Sequence, residues 1–455
     1  MAVYAALYAA SYISARISLY AVSGILLMAA ALWLFMKDAA KAGSAVQLRA
    51  LFSLSLVGGQ GVSALKLSHL QTDWLPETWL VLFLAEVCFW YAFEAAFRLR
   101  ESRTGRGADM KAASGAAGSA GEAAQGPVSI RSGRLLFSIA GITAVSYAAF
   151  FLEARILGFV PLFLRGVPHA YSYFHVSGLH YFTVSCIMVP ALSVVWSFTA
   201  EKKSLPQRAA AVLCTLLSIL IPVLCVSRFQ LILSVGLALA TFASASGQER
   251  RLRPQALALV FAVLAALYVL LSFARSHSVS YLNGIFEMKY ELPIFITQPY
   301  IYIANNYDNL NCLVRDLPRH ANGIRQLYPF FALTGLKFRF PELVLLPIYV
   351  TKEELTTVTI LYDAWYDFGI IGTALFSAVL GAVSGILESV TRGRHHPLTG
   401  VLYAFLAVYL VLAFFTTWFS NPATWFYFAE LLAVRLFVGG AAYGPDVSDL
   451  KGEQV

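Results

Sequence analysis

Charge is scarce in this sequence. Only 13% of its 455 residues are Asp, Glu, Lys or Arg and 59% are apolar, whereas a soluble chain carries about 25% charged residues to cover its surface. A chain folded wholly in water is therefore excluded. Cysteine is also sparse: Cys88, Cys186, Cys214, Cys225 and Cys312 include no Cys-x-x-Cys spacing, which argues against a disulfide framework or a zinc site. There is no Gly-x-Ser-x-Gly elbow, His-Glu-x-x-His pair, Walker loop or Gly-x-Gly-x-x-Gly after a strand. Serine hydrolases, zinc peptidases and nucleotide-driven enzymes are disfavoured accordingly. No Asp-x-Asp pair is available to hold a divalent ion, so neither a metal nor a cofactor is expected. The first apolar block has no basic region before it, and we expect it to be retained rather than cleaved as a signal peptide.

Apolar runs are abundant. They fall at 17–36, 50–67, 78–97, 134–152, 178–199, 209–226, 229–246, 256–273, 368–387, 398–417 and 424–440. Each is long enough for a helix across a ~30 Å hydrocarbon core, which predicts an all-α polytopic bundle of about eleven spans. The net charge of +8 has no basic, aromatic-interleaved module to go with it, so nucleic acid is not an expected partner. Membrane orientation accounts for it better. Lys37, Lys41 and Arg49, then Arg98 to Arg134, then Lys202, Lys203 and Arg208, then Arg250, Arg251 and Arg253, then Arg392 and Arg394 alternate consistently with the spans. Positive charge in short connections marks the cytoplasmic side, which predicts an outer N-terminus and an inner C-terminus.

The division expected from these runs is N-terminal helices over 1–100, a linker over 101–132, a helical core over 133–273, a large external loop with short helices over 274–367, C-terminal helices over 368–440 and a tail over 441–455. The linker is rich in Gly, Ala and Ser and is expected to be disordered, because it has too little apolar surface to offset the entropy of ordering. External chemistry is expected in two connections, 153–177 and 274–367.

The expected outer face carries Arg155, Arg165, Arg228, Arg275, Arg315, Arg319, Arg325 and Arg339, with His169, His175, His180, His277 and His320. Guanidinium groups bind phosphate oxygens through a planar fork. Clustered near lipid, they suit a polyprenyl-diphosphate leaving group; otherwise they solvate a large loop. Arg228 stands out because it lies between two apolar runs with almost no connection, where a charge is costly and tends to be functional; snorkelling is the alternative. Arg155 and Arg165 flank an apolar, proline-containing stretch. His169 follows them and has the chemistry of a base for a sugar hydroxyl, or of an interfacial hydrogen-bonding group.

Near the end of the long loop, Asp363 lies between Tyr362 and Tyr366 in TILYDAWYDFGIIG. It is a candidate to orient or deprotonate a hydroxyl, or a satisfied interfacial carboxyl, while Asp367 reads as a helix cap. Asn306 and Tyr307, within PYIYIANNYDN, suit sugar hydroxyls and sugar faces, or equally an Asx-rich helix cap. Glu86 and Glu94 share one face of the third apolar run and are expected to meet a polar cavity or an arginine.

These features together resemble the bacterial O-antigen polymerase family, the Wzy-like oligosaccharide repeat unit polymerases. The resemblance rests on the helix number, Gly158 to Phe163, Ser227-Arg228 opening a helix, one long late external loop, and Tyr366-Asp367-Phe368-Gly369 with Gly372. It implies a GT-C-like, metal-independent glycosyltransferase of the bacterial inner membrane. Such an enzyme lengthens a glycan carried on undecaprenyl diphosphate at the periplasmic face. Its implied catalytic residues here are Asp363, His169 and Arg228, with substrate-binding residues Arg155, Arg165, Arg275, Tyr362, Tyr366, Asn306 and Tyr307. The implied partners are undecaprenyl-diphosphate-linked glycans as donor and acceptor, membrane lipids and a chain-length regulator protein. An O-antigen ligase or another polyprenyl-phosphate glycosyltransferase shares the arginine logic, and a lipid-linked oligosaccharide flippase is the rival from another class.

Overall fold

The apolar runs fold as helices, described in a computed structural model over residues 1–103, 130–164, 170–200, 203–245, 279–393 and 395–439. The longer ones, in chain order, are α1 (Ala2–Arg16), α2 (Tyr20–Ala42), α3 (Leu48–Ala64), α4 (Pro76–Arg103), α5 (Ser132–Leu157), α6 (Val189–Thr199), α7 (Leu205–Leu224), α8 (Arg228–Ala245), α9 (Ile294–Asp316), α10 (Ile324–Leu333), α11 (Tyr362–Thr391), α12 (Pro397–Val411) and α13 (Pro422–Val438). Among the described residues there is no strand, only one isolated bridge between Ser68 and Met288. The fold is all-α, as expected.

Seven helical stretches among the described residues are long and apolar enough to cross a membrane: α2, α4, α5, His180–Thr199 (which ends in α6), α7, α8 and α11. The expected spans 50–67, 398–417 and 424–440 become helices of 17, 15 and 17 residues. At 1.5 Å per residue these are about 22 to 26 Å long, at or below the lower end of what crosses a ~30 Å core. The expected span 256–273 lies outside the described residues, as do the tail and most of the linker. The linker's edges are helical, since α4 runs to Arg103 and α5 starts at Ser132.

The chain divides into two units, each discontinuous in sequence. The first takes in the described parts of 1–116, 276–389 and 406–426. Its helices define two ends. At one end Arg49 donates to both carboxylate oxygens of Asp38, at 2.7 and 2.9 Å, and to Glu94 at 2.6 Å, while Arg98 also reaches Glu94. The Arg49 guanidinium lies 4.7 Å from the Trp90 ring centre. Glu388 near the end of α11 belongs to this end too, accepting from the Leu48 amide. The opposite end holds Tyr20, residues 65–75, α9 and the start of α11.

α1 sets which end of the unit the chain start occupies. α1 is a short helix of Ala, Tyr and Ser that folds back along α2: Ser11 Oγ donates to the Ser23 carbonyl, Tyr8 OH donates to Trp79 O, and Tyr4 stacks on Phe83. The Met1 amino group therefore lies in the field of Lys37, Asp38 and Arg49. The chain start and the Lys37–Arg49 connection share one end instead of facing each other across α2. The opening run is too weakly apolar for the sequence to show it as a helix running the depth of the unit.

α11 seats on α4 through Gly381 and Gly385, one turn apart, where an added Cβ would meet the backbone carbonyls of Phe89 and Phe93. Small residues four apart let two helix backbones approach. Gly385→Leu is expected to cost about 2 kcal/mol by overpacking, read as a lower midpoint of heat-induced aggregation in detergent. Gly133→Ala, where a Cβ meets nothing within 4 Å, is the neutral control.

Residues 274–367 are only partly a loop. α9 is 23 residues long and buries a run of polar side chains, Asn305, Asn306, Asp308, Asn309 and Asn311. It packs beside α3 and α4: Asn311 accepts from Thr78 Oγ1 and the Leu75 amide, and Tyr307 OH donates to Leu56 O.

The second unit takes in the described parts of 117–275, 390–405 and 427–455. α5 ends at Gly158 with φ +78, a left-handed cap that favours glycine. Pro161 then opens a single 3-10 turn to Phe163. Leu162 and Tyr171 pack on Val226 and Leu231 around the start of α8.

Candidate functional site

The first unit gathers its chemistry at the kinked start of α11. Phe368 and Gly369 leave helical geometry, with Gly369 at φ +59, ψ −141, a region open to glycine. The backbone of residues 321–326 wraps this kink: Ala321 N–H donates to Tyr366 O and Asn322 N–H to Asp367 O, both at 3.1 Å. Asp367 accepts from the amides of Arg325 (3.1 Å) and Gln326 (2.8 Å). It does not cap the apolar run after it, the expectation from sequence, because it lies inside α11; its carboxylate caps the start of α10 instead.

The capped turn places Arg325. Its Nε donates to Asp363 Oδ1 at 2.8 Å, and its guanidinium carbon lies 4.9 Å from the Tyr366 ring centre and 5.9 Å from that of Tyr362. Tyr362 is fixed in turn, donating to Tyr349 O and accepting from Tyr349 N. The Arg325 side chain keeps 20% of its surface exposed and Asp363 keeps 7%. With Nε taken by Asp363, the terminal nitrogens of Arg325 have no partner among the described residues and remain donors for an anion. His320 lies against the same kink, its Nδ1 3.3 Å from Tyr366 O, its ring edge-on to Trp365 and its Nε2 facing Gly369. In the tautomer that donates there, Nε2 is the basic nitrogen.

The second unit holds a separate cluster. Glu153, fully buried in α5, accepts from Thr183 Oγ1 at 2.7 Å and the Val176 amide at 2.9 Å, and lies 3.1 Å from His180 Nδ1. The His175 ring stands 5.0 Å from that of His180. A carboxylate behind one imidazole nitrogen fixes the tautomer and leaves the other as acceptor. Glu153→Ala leaves three donors without their acceptor and is expected to cost about 2 kcal/mol, read as a lower melting midpoint. Glu153→Gln, which keeps an acceptor oxygen, is expected to cost less. In the same unit Arg228 opens α8 and is buried, and Arg155 is exposed near the end of α5.

Of the residues expected from sequence, Asp363, Tyr362 and Tyr366 meet in one cluster. Asn306 and Tyr307 are fully buried and serve packing: Asn306 Nδ2 donates to the carbonyls of Tyr302 and Phe414, and its Oδ1 accepts from Thr357. The cap reading does not fit, since both residues lie in the middle of α9, and both polar atoms of Asn306 are engaged by protein groups. Arg165, His169 and Arg275 lie outside the described residues. Glu94 meets an arginine, as expected, while Glu86 accepts from Ser53 at 2.5 Å and is fully buried. Arg325 and His320 were only two among many outer cations in the sequence. The Asn322-Gly323 turn before an apolar run is the signal that a helix starts there with Arg325 in its first turn. Among the described residues no group of His, Cys, Asp and Glu could hold a metal ion.

Comparison with known protein families, characterised proteins and solved structures finds no match for this chain.

Proposed function

We propose that this chain is a bacterial inner-membrane glycosyltransferase, a polymerase that lengthens a glycan carried on undecaprenyl diphosphate, with about eleven spans in a GT-C-like arrangement. The observation that carries the reading is Arg325: a guanidinium pinned through Nε by Asp363, backed by two tyrosine rings, with its terminal nitrogens open at the end of an apolar helix. That is a donor set for a diphosphate held at a lipid boundary.

In the reaction the hydroxyl oxygen of one lipid-linked repeat unit attacks the anomeric carbon of the growing glycan. The bond from that carbon to the diphosphate oxygen breaks, and the diphosphate leaves with the electron pair. Arg325 stabilises its developing charge. The hydroxyl proton passes to a base, a role we assign to His320, which contacts the same kink through Tyr366 O. Asp363 then acts as a positioning residue, since its Oδ1 already holds Arg325. The bond energy lies in the donor, so no nucleotide enters.

The test is incubation of the purified protein with undecaprenyl-diphosphate-linked oligosaccharide. A ladder of lengthened, lipid-linked glycans is expected. Transfer only to a different acceptor identifies a ligase, and an unchanged substrate pool removes the glycosyltransferase reading. Arg228 is tested separately: Arg228→Ala is expected to abolish the ladder with the protein still folded, and a normal ladder removes Arg228 from the reading without touching Arg325.

A further inference from the structure

A polar cavity lies in the first unit, lined by none of the residues of the Arg325 cluster. It has a volume of about 160 Å³ and is lined by Arg16, Tyr20, Lys66, Asp73, Trp74 and Trp79. Its level is set by the helices around it. Tyr20 is the first residue of α2, and Trp79 lies in the first turn of α4, both helices long and apolar enough to span. The cavity therefore sits at the shared end of two apolar helices, the depth of the lipid headgroups, where tryptophan and tyrosine collect.

Its charges are arranged in a definite order. Arg16, in the last turn of α1, is exposed and has no side-chain partner among the described residues. Lys66 is buried on the inner side, donating to Asp308 at 2.7 Å with its ammonium 4.1 Å from the Trp74 ring centre. Asp73 accepts from Tyr20 OH at 2.7 Å through one oxygen and keeps the other. One ligand meets all three groups if it carries an anion for Arg16 and Lys66 and a donor cation for Asp73.

We infer that this cavity binds the phosphoethanolamine headgroup of a membrane phospholipid, its phosphate on Arg16 and Lys66 and its primary ammonium on Asp73. A purely anionic headgroup is repelled by Asp73. A quaternary ammonium has no N–H to give it, and the Trp74 face that would attract such a cation already carries Lys66. The assignment is independent of glycosyl transfer.

The experiment is native mass spectrometry of the full chain released from mixed micelles holding phosphatidylethanolamine, phosphatidylcholine and phosphatidylglycerol with the same acyl chains. Wild type is expected to retain phosphatidylethanolamine about tenfold over the other two, and Arg16→Gln to lose about tenfold of that retention. Asp73→Asn is expected to erase the preference over phosphatidylglycerol. Arg16 is exposed, so its variant folds, checked by a monodisperse elution profile. Soluble glycerophosphoethanolamine is expected to displace the lipid from wild type. Equal retention of the three lipids, or unchanged retention by Arg16→Gln, overturns the assignment. Failure of the soluble headgroup to compete also overturns it, because acyl contacts alone then hold the lipid.

Discussion

Arg325→Ala is expected to cut glycan lengthening about a hundredfold while the protein reaches the membrane in normal amount. The size follows from removing one preorganised donor group aimed at a charge that grows in the transition state. Its direction follows from the geometry: the guanidinium is held by Asp363 at 2.8 Å and by two aromatic faces, so no reorganisation is needed when the diphosphate departs. Arg325→Lys is expected to be nearly as poor, because an ammonium has no planar fork and cannot hold Asp363 through one nitrogen while presenting two coplanar donors on others. Asp363→Asn is expected to lose less than Arg325→Ala and to keep the wild-type pH profile between about pH 6 and 8, as befits a group that positions Arg325 and takes no proton. A changed profile makes Asp363 the base. Ladder length per unit time on gels, normalised to protein in the membrane, measures all three. A normal ladder from Arg325→Ala removes the kinked start of α11 as the reaction centre.

The largest stability effect is expected at Asp308. This carboxylate is buried in α9 and accepts from four side chains: Lys66 Nζ at 2.7 Å, Trp74 Nε1 and Gln71 Nε2 at 2.8 Å, and Ser63 Oγ at 3.0 Å. Asp308→Ala leaves a buried ammonium without its counter-charge and Trp74 Nε1 without its acceptor, while Ser63 Oγ and Gln71 Nε2 keep the carbonyls of Ala304 and Ser63. Breaking one side of a buried pair costs about 3–5 kcal/mol, and the protein is expected to lose its folded fraction at moderate temperature. Lys66→Met is expected to cost less, since Asp308 keeps three hydrogen bonds. The double substitution Lys66→Met with Asp308→Asn is expected to recover much of the loss, because the charge on each side is then gone. Heat-inactivation midpoints of wild type, Lys66→Met, Asp308→Asn and the double substitution form the cycle that measures the coupling. A single Asp308→Ala protein as stable as wild type would show that the network contributes nothing.

The polar run in α9 illustrates where reading by residue type fails. NNYDN beside tyrosines has the composition of a sugar site, and it has the same composition when it ties a helix into a polar core. Asn309 shows the second case, donating to the carbonyls of Leu355 and Thr357 and accepting from the Thr351 amide. Donors and acceptors look alike in sequence whether their partners are ligands or distant backbone. Asp363 with Tyr362 and Tyr366 was legible for the opposite reason, because neighbours in one helical turn converge whatever else happens. Their cation was not: Arg325 lies 38 residues earlier, and nothing local pairs the two positions.

Hydropathy and segment length determined that this is a helical membrane chain, because the cost of exposing unpaired backbone to hydrocarbon leaves a long apolar segment little choice but a helix. Tertiary structure alone decided that α1 turns the N-terminus back to the Lys37 and Arg49 end, that α9 is buried, and that Arg325 meets Asp363. Each of these depends on which surfaces pack together, and packing is a property of pairs of segments distant along the chain.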